Sequence, residues 1–163
     1  MNDIPVQDVR TEGAEGSQQF LTFTLGGEEY GVEILRVQEI KGFSAVTPIP
    51  NSPDYVKGVM NLRGTVVPVF DLRLKFGMER KDYDRFTVIV VVNVGARVVG
   101  LIVDSVSDVL DVDHDAIETS PDLGASVDTS ILQGIARNND RLITLLDIDR
   151  VVGESRVAVE LAA

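Results

Sequence analysis

The sequence contains no cysteine in its 163 residues. This absence excludes a disulfide framework, a thiol nucleophile and a thiolate metal site, and it agrees with a reducing compartment. The N-terminus has neither the basic segment nor the apolar segment of a secretory signal. The longest apolar run, residues 87–92, is far shorter than the roughly 20 residues that a membrane helix needs. We therefore expect the protein in the cytoplasm.

Basic residues are also scarce. Fifteen Lys and Arg stand against 26 Asp and Glu, which gives a net charge of −11 at pH 7. A nucleic-acid-binding protein would be expected to present a basic face, and an anionic membrane surface would repel this chain. The acidic balance predicts a soluble protein with some basic surface on a partner.

The motifs of common enzyme classes are missing. No GxSxG, Walker A or GxGxxG sequence occurs, and His114 is the single histidine. A serine or threonine nucleophile usually needs a base beside it. Carboxylate pairs carry little information in a chain with 26 acidic residues. The sequence therefore predicts a protein that is not an enzyme and has no cofactor.

One acidic segment partly resembles a calcium loop. Its carboxylates stand at the first, third, fifth and twelfth positions of such a loop, as Asp111, Asp113, Asp115 and Asp122. However, Ala116 stands where the sharp turn requires glycine, the twelfth residue is normally a bidentate glutamate, and no helices flank the segment. A solvated acidic loop is the better interpretation, so no metal site is predicted.

The chain contains an internal duplication. Leu25–Ile40 aligns with Val94–Val109 at an offset of 69, and Gly58–Leu72 aligns with Gly134–Ile148 at an offset of 76. Two copies cannot make a solenoid, which needs at least three repeats to bury a continuous core. The duplication predicts two small, similar subdomains packed on each other with a groove between them.

Alternating apolar residues and glycine turns predict four β-hairpins. Their strands are residues 18–25 and 28–34, 59–63 and 66–70, 86–94 and 97–106, and 131–136 and 142–148. Pro68 predicts an edge position or a bulge in its strand. Residues 109–130 form the one irregular stretch. Many short strands joined by glycine-rich turns predict an all-β pair of small barrels.

Composition also predicts the domain boundaries. Residues 1–17 are polar and lack periodicity, which is typical of a disordered tail. We assign residues 18–82 to a first barrel, residues 83–150 to a second, and residues 151–163 to a short C-terminal helix or tail, all within one domain. The charged residues 77–85 link the halves.

Two charged residues are candidate interface anchors. Arg63 lies at a hairpin tip, and arginine is enriched among residues that dominate binding energy. Glu39 lies between Val37 and Ile40 on a strand. For both, an ordinary solvated surface residue is the alternative.

The motifs resemble those of the CheW family of chemotaxis coupling proteins. The resemblance covers residues 18 to about 150. It is carried by Phe20-Leu-Thr-Phe, Glu29-Tyr-Gly-Val, Val37-Gln-Glu-Ile, the segment from Gly58 through Asn-Leu-Arg-Gly to Asp-Leu-Arg73, and Gly100-Leu-Ile-Val-Asp-Ser-Val-Ser-Asp-Val-Leu110.

The resemblance implies two intertwined SH3-like five-stranded barrels and no catalysis. It implies an adaptor that bridges the cytoplasmic hairpin tips of chemoreceptors to the regulatory domain of the histidine kinase CheA, in rings and arrays beneath the membrane that can include other CheW copies. The implied receptor-binding residues are Val37, Glu39, Ile40, Lys57, Gly58, Arg63 and Val88. The implied kinase or ring contacts are Glu118, Asp122 and Leu123, where Glu118 stands at a position that can be basic.

Other functions remain open at this point. The chain could serve a chemosensory pathway unrelated to motility, or be a purely structural array component. It could also be a fragment of the kinase or of a receiver fusion, but no ATP-binding or receiver sequence follows the last repeated strand, so we expect a free-standing adaptor.

Overall fold

The computed structural model describes residues 4–5, 17–118 and 131–152. Its strands are β1 (Ile4–Pro5), β2 (Ser17–Leu25), β3 (Glu28–Glu33), β4 (Val37–Gly42), β5 (Val56–Leu62), β6 (Thr65–Asp71), β7 (Val88–Val94), β8 (Arg97–Val103), β9 (Ser105–Asp113), β10 (Ile117–Glu118), β11 (Leu132–Asn138) and β12 (Arg141–Leu146). Two short helices, α1 (Leu72–Lys75) and α2 (Ile148–Val152), follow β6 and β12. The predicted all-β class is confirmed. In the described part of the chain, no helix has the length and apolarity to span a membrane.

The strands form two six-stranded sheets that curl into barrels. The first, barrel A, has the order β1-β4-β7-β8-β6-β5, and the second, barrel B, has the order β10-β11-β12-β3-β2-β9. Barrel A closes where the backbones of Thr47 and Val59 exchange hydrogen bonds of 2.8 and 2.9 Å. Barrel B closes where β10, which follows β9 in the chain, pairs with β11.

The two halves of the chain exchange strands. Barrel A combines β4, β5 and β6 with β7 and β8 from the second half, and the β2–β3 hairpin enters barrel B. Two parallel pairings, β6 with β8 and β12 with β3, join the halves. The barrels are therefore not residues 18–82 and 83–150, because each N-terminal hairpin finds its partners in the other copy. This is the intertwined arrangement that the resemblance implies.

The duplication is visible in the details of both barrels. Gly58 and Gly134 occupy matching positions, and a Cβ atom on either would overlap the segment that closes its barrel. Asp71 and Asp147 also match, and each side chain accepts a backbone N–H at the start of the following helix, α1 or α2. Such N-caps stabilise a helix by about 1 kcal/mol. Both repeats therefore use a glycine at barrel closure and an aspartate N-cap at corresponding positions.

Three hydrophobic cores hold the fold together. One fills barrel A and includes Met60, Leu62, Val69, Ile89 and Val91. A second fills barrel B and includes Phe20, Val112, Ala136, Ile143 and Leu145. The third takes residues from both sheets and therefore lies between the barrels. It includes Leu21, Phe23, Val37, Phe70, Val88, Val90, Leu101 and Leu146.

Ion pairs join the two halves of the chain. Arg73 of α1 donates to both carboxylate oxygens of Asp104, at 2.7 Å each, and Gly26 N–H donates to the same carboxylate at 2.9 Å. Arg36 makes a similar two-pronged pair with Asp149 at 3.0 and 2.5 Å. Burial would raise the pKa of Asp104, but the bonds from Arg73 and Gly26 hold it below its usual value.

Asp104→Asn is expected to lower the free energy of unfolding at pH 7 by about 2 kcal/mol, because the largely buried Arg73 loses its charge partner. The folded-state pKa of Asp104 is depressed. Its contribution is therefore full above the unfolded pKa of about 4 and disappears as pH falls through the folded value. Urea unfolding at pH 7 and in acid checks this. The exposed Asp82→Asn is the control, and equal midpoints for the two variants at pH 7 would contradict the prediction.

The structure differs from the predictions at several places. Pro68 lies on β6, which has a strand on each side. The pairing of β6 with β8 begins only at Val69, so the missing N–H of Pro68 removes no hydrogen bond to β8. Residues 109–118, predicted to be irregular, complete β9, a 3-10 turn at His114–Ala116, and β10. The short α1 was not predicted.

The chain termini are described only in part. Within the predicted N-terminal tail, Ile4–Pro5 pairs with Ile40 and Glu39 on the outer edge of β4. α2 begins at Ile148, before the predicted C-terminal helix of residues 151–163. Residues 1–3, 6–16 and 153–163 lie outside the described residues.

Candidate functional site

A charged pair lies at the mouth of barrel A. Glu39 on β4 has an exposed fraction of only 4%. Arg63, at the tip of the β5–β6 hairpin, donates to both of its carboxylate oxygens. The Arg63 side chain itself is 63% exposed. The buried carboxylate therefore fixes one end of the guanidinium of a largely exposed side chain.

The backbone at Arg63 adopts a left-handed conformation, which costs an arginine more conformational free energy than the residue types that favour this conformation. Arg63 has φ +51° and Gly64 has φ +87°. The matching turn in barrel B places Asn139 at φ +57°. Asparagine tolerates the left-handed region better than other non-glycine residues, and such conformations cost of the order of 1 kcal/mol or more. The presence of arginine at this strained position is therefore explained by what its side chain does, which is to pair with Glu39 at the protein surface.

Two more of the predicted receptor-binding residues reach the surface. Ile40 and Lys57 are half-buried. The Lys57 ammonium lies over the Tyr83 ring, 5.7 Å from its centroid, and Tyr83 packs on Phe43 with ring centroids 4.4 Å apart. The Tyr83 hydroxyl donates to Asp71 at 2.7 Å. Burial, together with that bond, raises the pKa of Tyr83, so the phenol stays neutral at physiological pH.

Three predicted contact residues are buried. Val37 and Val88 are 0% and 5% exposed and belong to the core between the barrels. Gly58 has φ +145°, and a Cβ on it would lie 2.0 Å from the carbonyl oxygen of Thr47. Val37 and Val88 therefore offer little surface for direct contact with a partner, because both side chains point into this core. Gly58 permits the closure of barrel A.

The second copy uses its equivalent acid differently. Asp108 aligns with Glu39, and it accepts hydrogen bonds from Thr22 at 2.5 Å and from Arg141 at 3.2 Å. Arg141 also donates to Glu29 at 2.9 and 2.5 Å. The Arg141 guanidinium lowers the pKa of Glu29 and of Asp108. This network joins β2, β3, β9 and β12, so its arginine stabilises the barrel and satisfies two carboxylates.

The predicted kinase contacts are only partly visible. Glu118 ends β10, pairs with Ile135 and is exposed. Asp122 and Leu123 lie outside the described residues. Asp111 and Asp113 lie on the extended β9 instead of in a calcium-type loop. Among residues 17–118 and 131–152, no group of three or more His, Asp or Glu side chains could hold a metal ion.

Sequence interpretation missed an aromatic cluster beside Lys57. The chain has nine Phe and Tyr residues in all. Phe43 and Tyr83 pack together, and Phe86, three residues after Tyr83, is 56% exposed. The sequence carries a signal for this cluster, because Tyr83 is a large aromatic residue within the charged link of residues 77–85, where such a residue is unexpected.

Known proteins are similar to this chain over most of its length. A family model described as the CheW-like domain matches residues 19–156. The chain is 46% identical over 147 residues to the chemotaxis protein CheW of Klebsiella aerogenes, covering 90% of this chain and 89% of that one. It is 39% identical over 136 residues to the chemotaxis protein CheW of Rhizobium meliloti, covering 83% and 88%.

A solved structure is also similar. The crystal structure of the scaffolding protein TtCheW from Thermoanaerobacter tengcongensis matches with a TM-score of 0.77 and 32% identity, covering 82% of this chain and 91% of that one. Both the family model and these relatives span most of the chain. The chain therefore belongs to the CheW-like domain family.

Proposed function

We propose that the protein is a non-catalytic adaptor in chemotaxis signalling. It couples the cytoplasmic hairpin tips of chemoreceptors to the regulatory domain of the histidine kinase CheA, at the inner face of the membrane. The observation that carries the proposal is the exposed Arg63, which is held on the buried Glu39 at a backbone position where asparagine would be easier.

The receptor-facing surface would work as a helix-in-groove site. Arg63 and Lys57 would supply positive charge to this surface, and the half-buried Ile40 would supply apolar area. Val37 and Val88 act from beneath this surface, because they pack in the core that fixes one barrel against the other. A receptor hairpin that contacted two kinase states differently would shift the balance between those states.

The kinase-facing surface would lie on barrel B. Glu118 marks its described edge, and we propose Asp122 and Leu123 as further kinase contacts. Leu123→Ser is expected to reduce CheA binding and array formation at least tenfold, because an apolar anchor would become polar. Co-sedimentation with receptor-bearing membranes and CheA measures this, and full assembly by the variant would remove this face from the proposal.

A reconstituted kinase assay tests the function as a whole. CheA and a chemoreceptor signalling fragment from the same organism are mixed with and without this protein, and CheA phosphorylation is followed. Dependence on both the receptor and this protein supports the adaptor role. CheA binding without a receptor-dependent change would favour a structural array component. Absence of binding to either partner would contradict the proposal.

A further inference from the structure

A second surface on barrel A combines aromatic and basic side chains. It consists of Phe43, Lys57, Tyr83, Arg85 and Phe86, and we call it the aromatic-basic patch. Phe86 is 56% exposed, and the Arg85 guanidinium lies over its ring, 4.8 Å from the centroid. Lys57 lies over Tyr83, which packs on Phe43. Aromatic residues and arginine are enriched at interaction sites, where exposed apolar area is commonly rimmed by polar groups.

Two carboxylates near the patch, those of Asp71 and Asp84, are engaged within the protein. Asp71 accepts from the Tyr83 hydroxyl and from Leu74 N–H. Asp84 accepts from the backbone N–H of Phe86 at 2.8 Å and lies 3.5 Å from the Lys81 ammonium. Lys57 and Arg85 instead face aromatic rings. The patch thus presents two basic side chains, Lys57 and Arg85, on a chain whose net charge is −11.

The internal duplication shows that the fold does not require these side chains. At the matching offsets, Phe86 corresponds to Ser17 and Lys57 corresponds to Gln133. Barrel B forms the same strands with these small or neutral residues. By contrast, the exposed Val66 has an exposed apolar counterpart in Leu142, so that feature is common to both repeats. Phe86 and Lys57 are specific to barrel A and require another explanation.

The patch and the Arg63 site are near enough for one helix to contact both. Glu39 and Phe43 are four residues apart along β4 and its extension, a distance of about 13 Å at the usual strand rise. Phe43 N–H donates to the carbonyl of Thr87, the residue after Phe86. A helix covers about 13 Å in roughly nine residues. Both sites therefore lie on barrel A within the reach of one helix.

We propose that the aromatic-basic patch binds an acidic, α-helical segment of the chemoreceptor hairpin and extends the receptor-facing surface beyond Arg63. The proposal rests on the proposed function. Arg85 and Lys57 pair with carboxylates on the helix, and Phe86 packs against an apolar residue one turn away. In this arrangement the patch selects among receptors, and Arg63 supplies the shared anchor.

Phe86→Ser and Arg85→Glu test the proposal, with a chemoreceptor signalling fragment as the probe in titration calorimetry at low and high salt. Each variant is expected to bind about tenfold more weakly than the parent protein. Arg85→Glu should also reduce the salt dependence of affinity, because a charge pair is removed. Val66→Ser and Arg137→Glu are matched controls of similar exposure, and neither should change affinity.

The outcomes separate this inference from the proposed function. If Arg63→Glu loses binding while Phe86→Ser and Arg85→Glu bind as the parent does, the patch is not a receptor site and the adaptor role stands. If the patch variants lose CheA binding and keep receptor binding, the assignment to the receptor is overturned. If the parent protein does not bind the receptor fragment, the proposed function itself fails. Thermal unfolding of both patch variants is expected to match the parent, because their side chains are exposed.

Discussion

Arg63→Glu is expected to weaken binding of a chemoreceptor signalling fragment more than tenfold and to abolish the receptor-dependent change in CheA activity. The substitution reverses the exposed charge at the barrel A mouth, where we place the receptor anchor, and truncation of such anchors commonly costs 2 kcal/mol or more. Affinity by titration calorimetry and phosphorylation of CheA measure the two effects.

Stability must be separated from binding in this experiment. Glu39 is buried, and Arg63→Glu leaves its carboxylate without its charge partner, a loss that destabilises proteins by about 1–3 kcal/mol. The double variant Glu39→Gln, Arg63→Gln removes both charges and keeps hydrogen-bonding groups. It should unfold close to the parent midpoint yet still bind receptor weakly. Recovery of binding in the double variant would show that the pair is purely structural.

Gly58→Ala is expected to lower the free energy of unfolding by about 4 kcal/mol, which corresponds to a fall of roughly 10 °C in Tm. The added Cβ would lie 2.0 Å from the Thr47 carbonyl oxygen, and the overlap is relieved only by breaking the backbone bonds that close barrel A. Calorimetry or urea unfolding measures the change.

Gly95→Ala provides the matched control for Gly58→Ala. Gly95 also has a positive φ, +63°, but no atom lies within 4 Å of the added Cβ. Only the backbone strain of about 1 kcal/mol should appear. If Gly58→Ala is as stable as Gly95→Ala but does not bind receptor, Gly58 contacts the receptor directly and is not needed for barrel closure.

The hairpins could be predicted from sequence, but the pairing of the sheets could not. Gly26 and Gly27, at φ +59° and +81°, make the tight turn between β2 and β3 that the glycine pair predicts. Alternation also gave the β11–β12 hairpin. The hairpins of the two repeats, however, have the same apolar pattern, so each could pair with strands of its own copy or of the other copy. Local residues therefore do not decide whether β3 pairs with β6 or with β12, and that choice depends on the packing of the whole chain.

The charged half of the site could be predicted, and the apolar half could not. Arg63 and Glu39 are charged residues beside a turn and on a strand, and the structure joins them. Val37 and Glu39 are two residues apart on β4, and a regular strand would place both side chains on one face. The register of β4 against β7 slips between these two residues, so they do not share a face. A β-bulge leaves no clear sequence signal here.

Strand exchange has a consequence for synthesis on the ribosome. Barrel A receives its last strand at residue 103, but barrel B waits until residue 146. The β2–β3 hairpin, although made early, has no complete barrel to enter during that interval. One of its faces, through Leu21 and Phe23, belongs to the core shared with barrel A. A finished barrel A can therefore shelter the nascent hairpin, so the translation order itself protects the exposed apolar strands from aggregation.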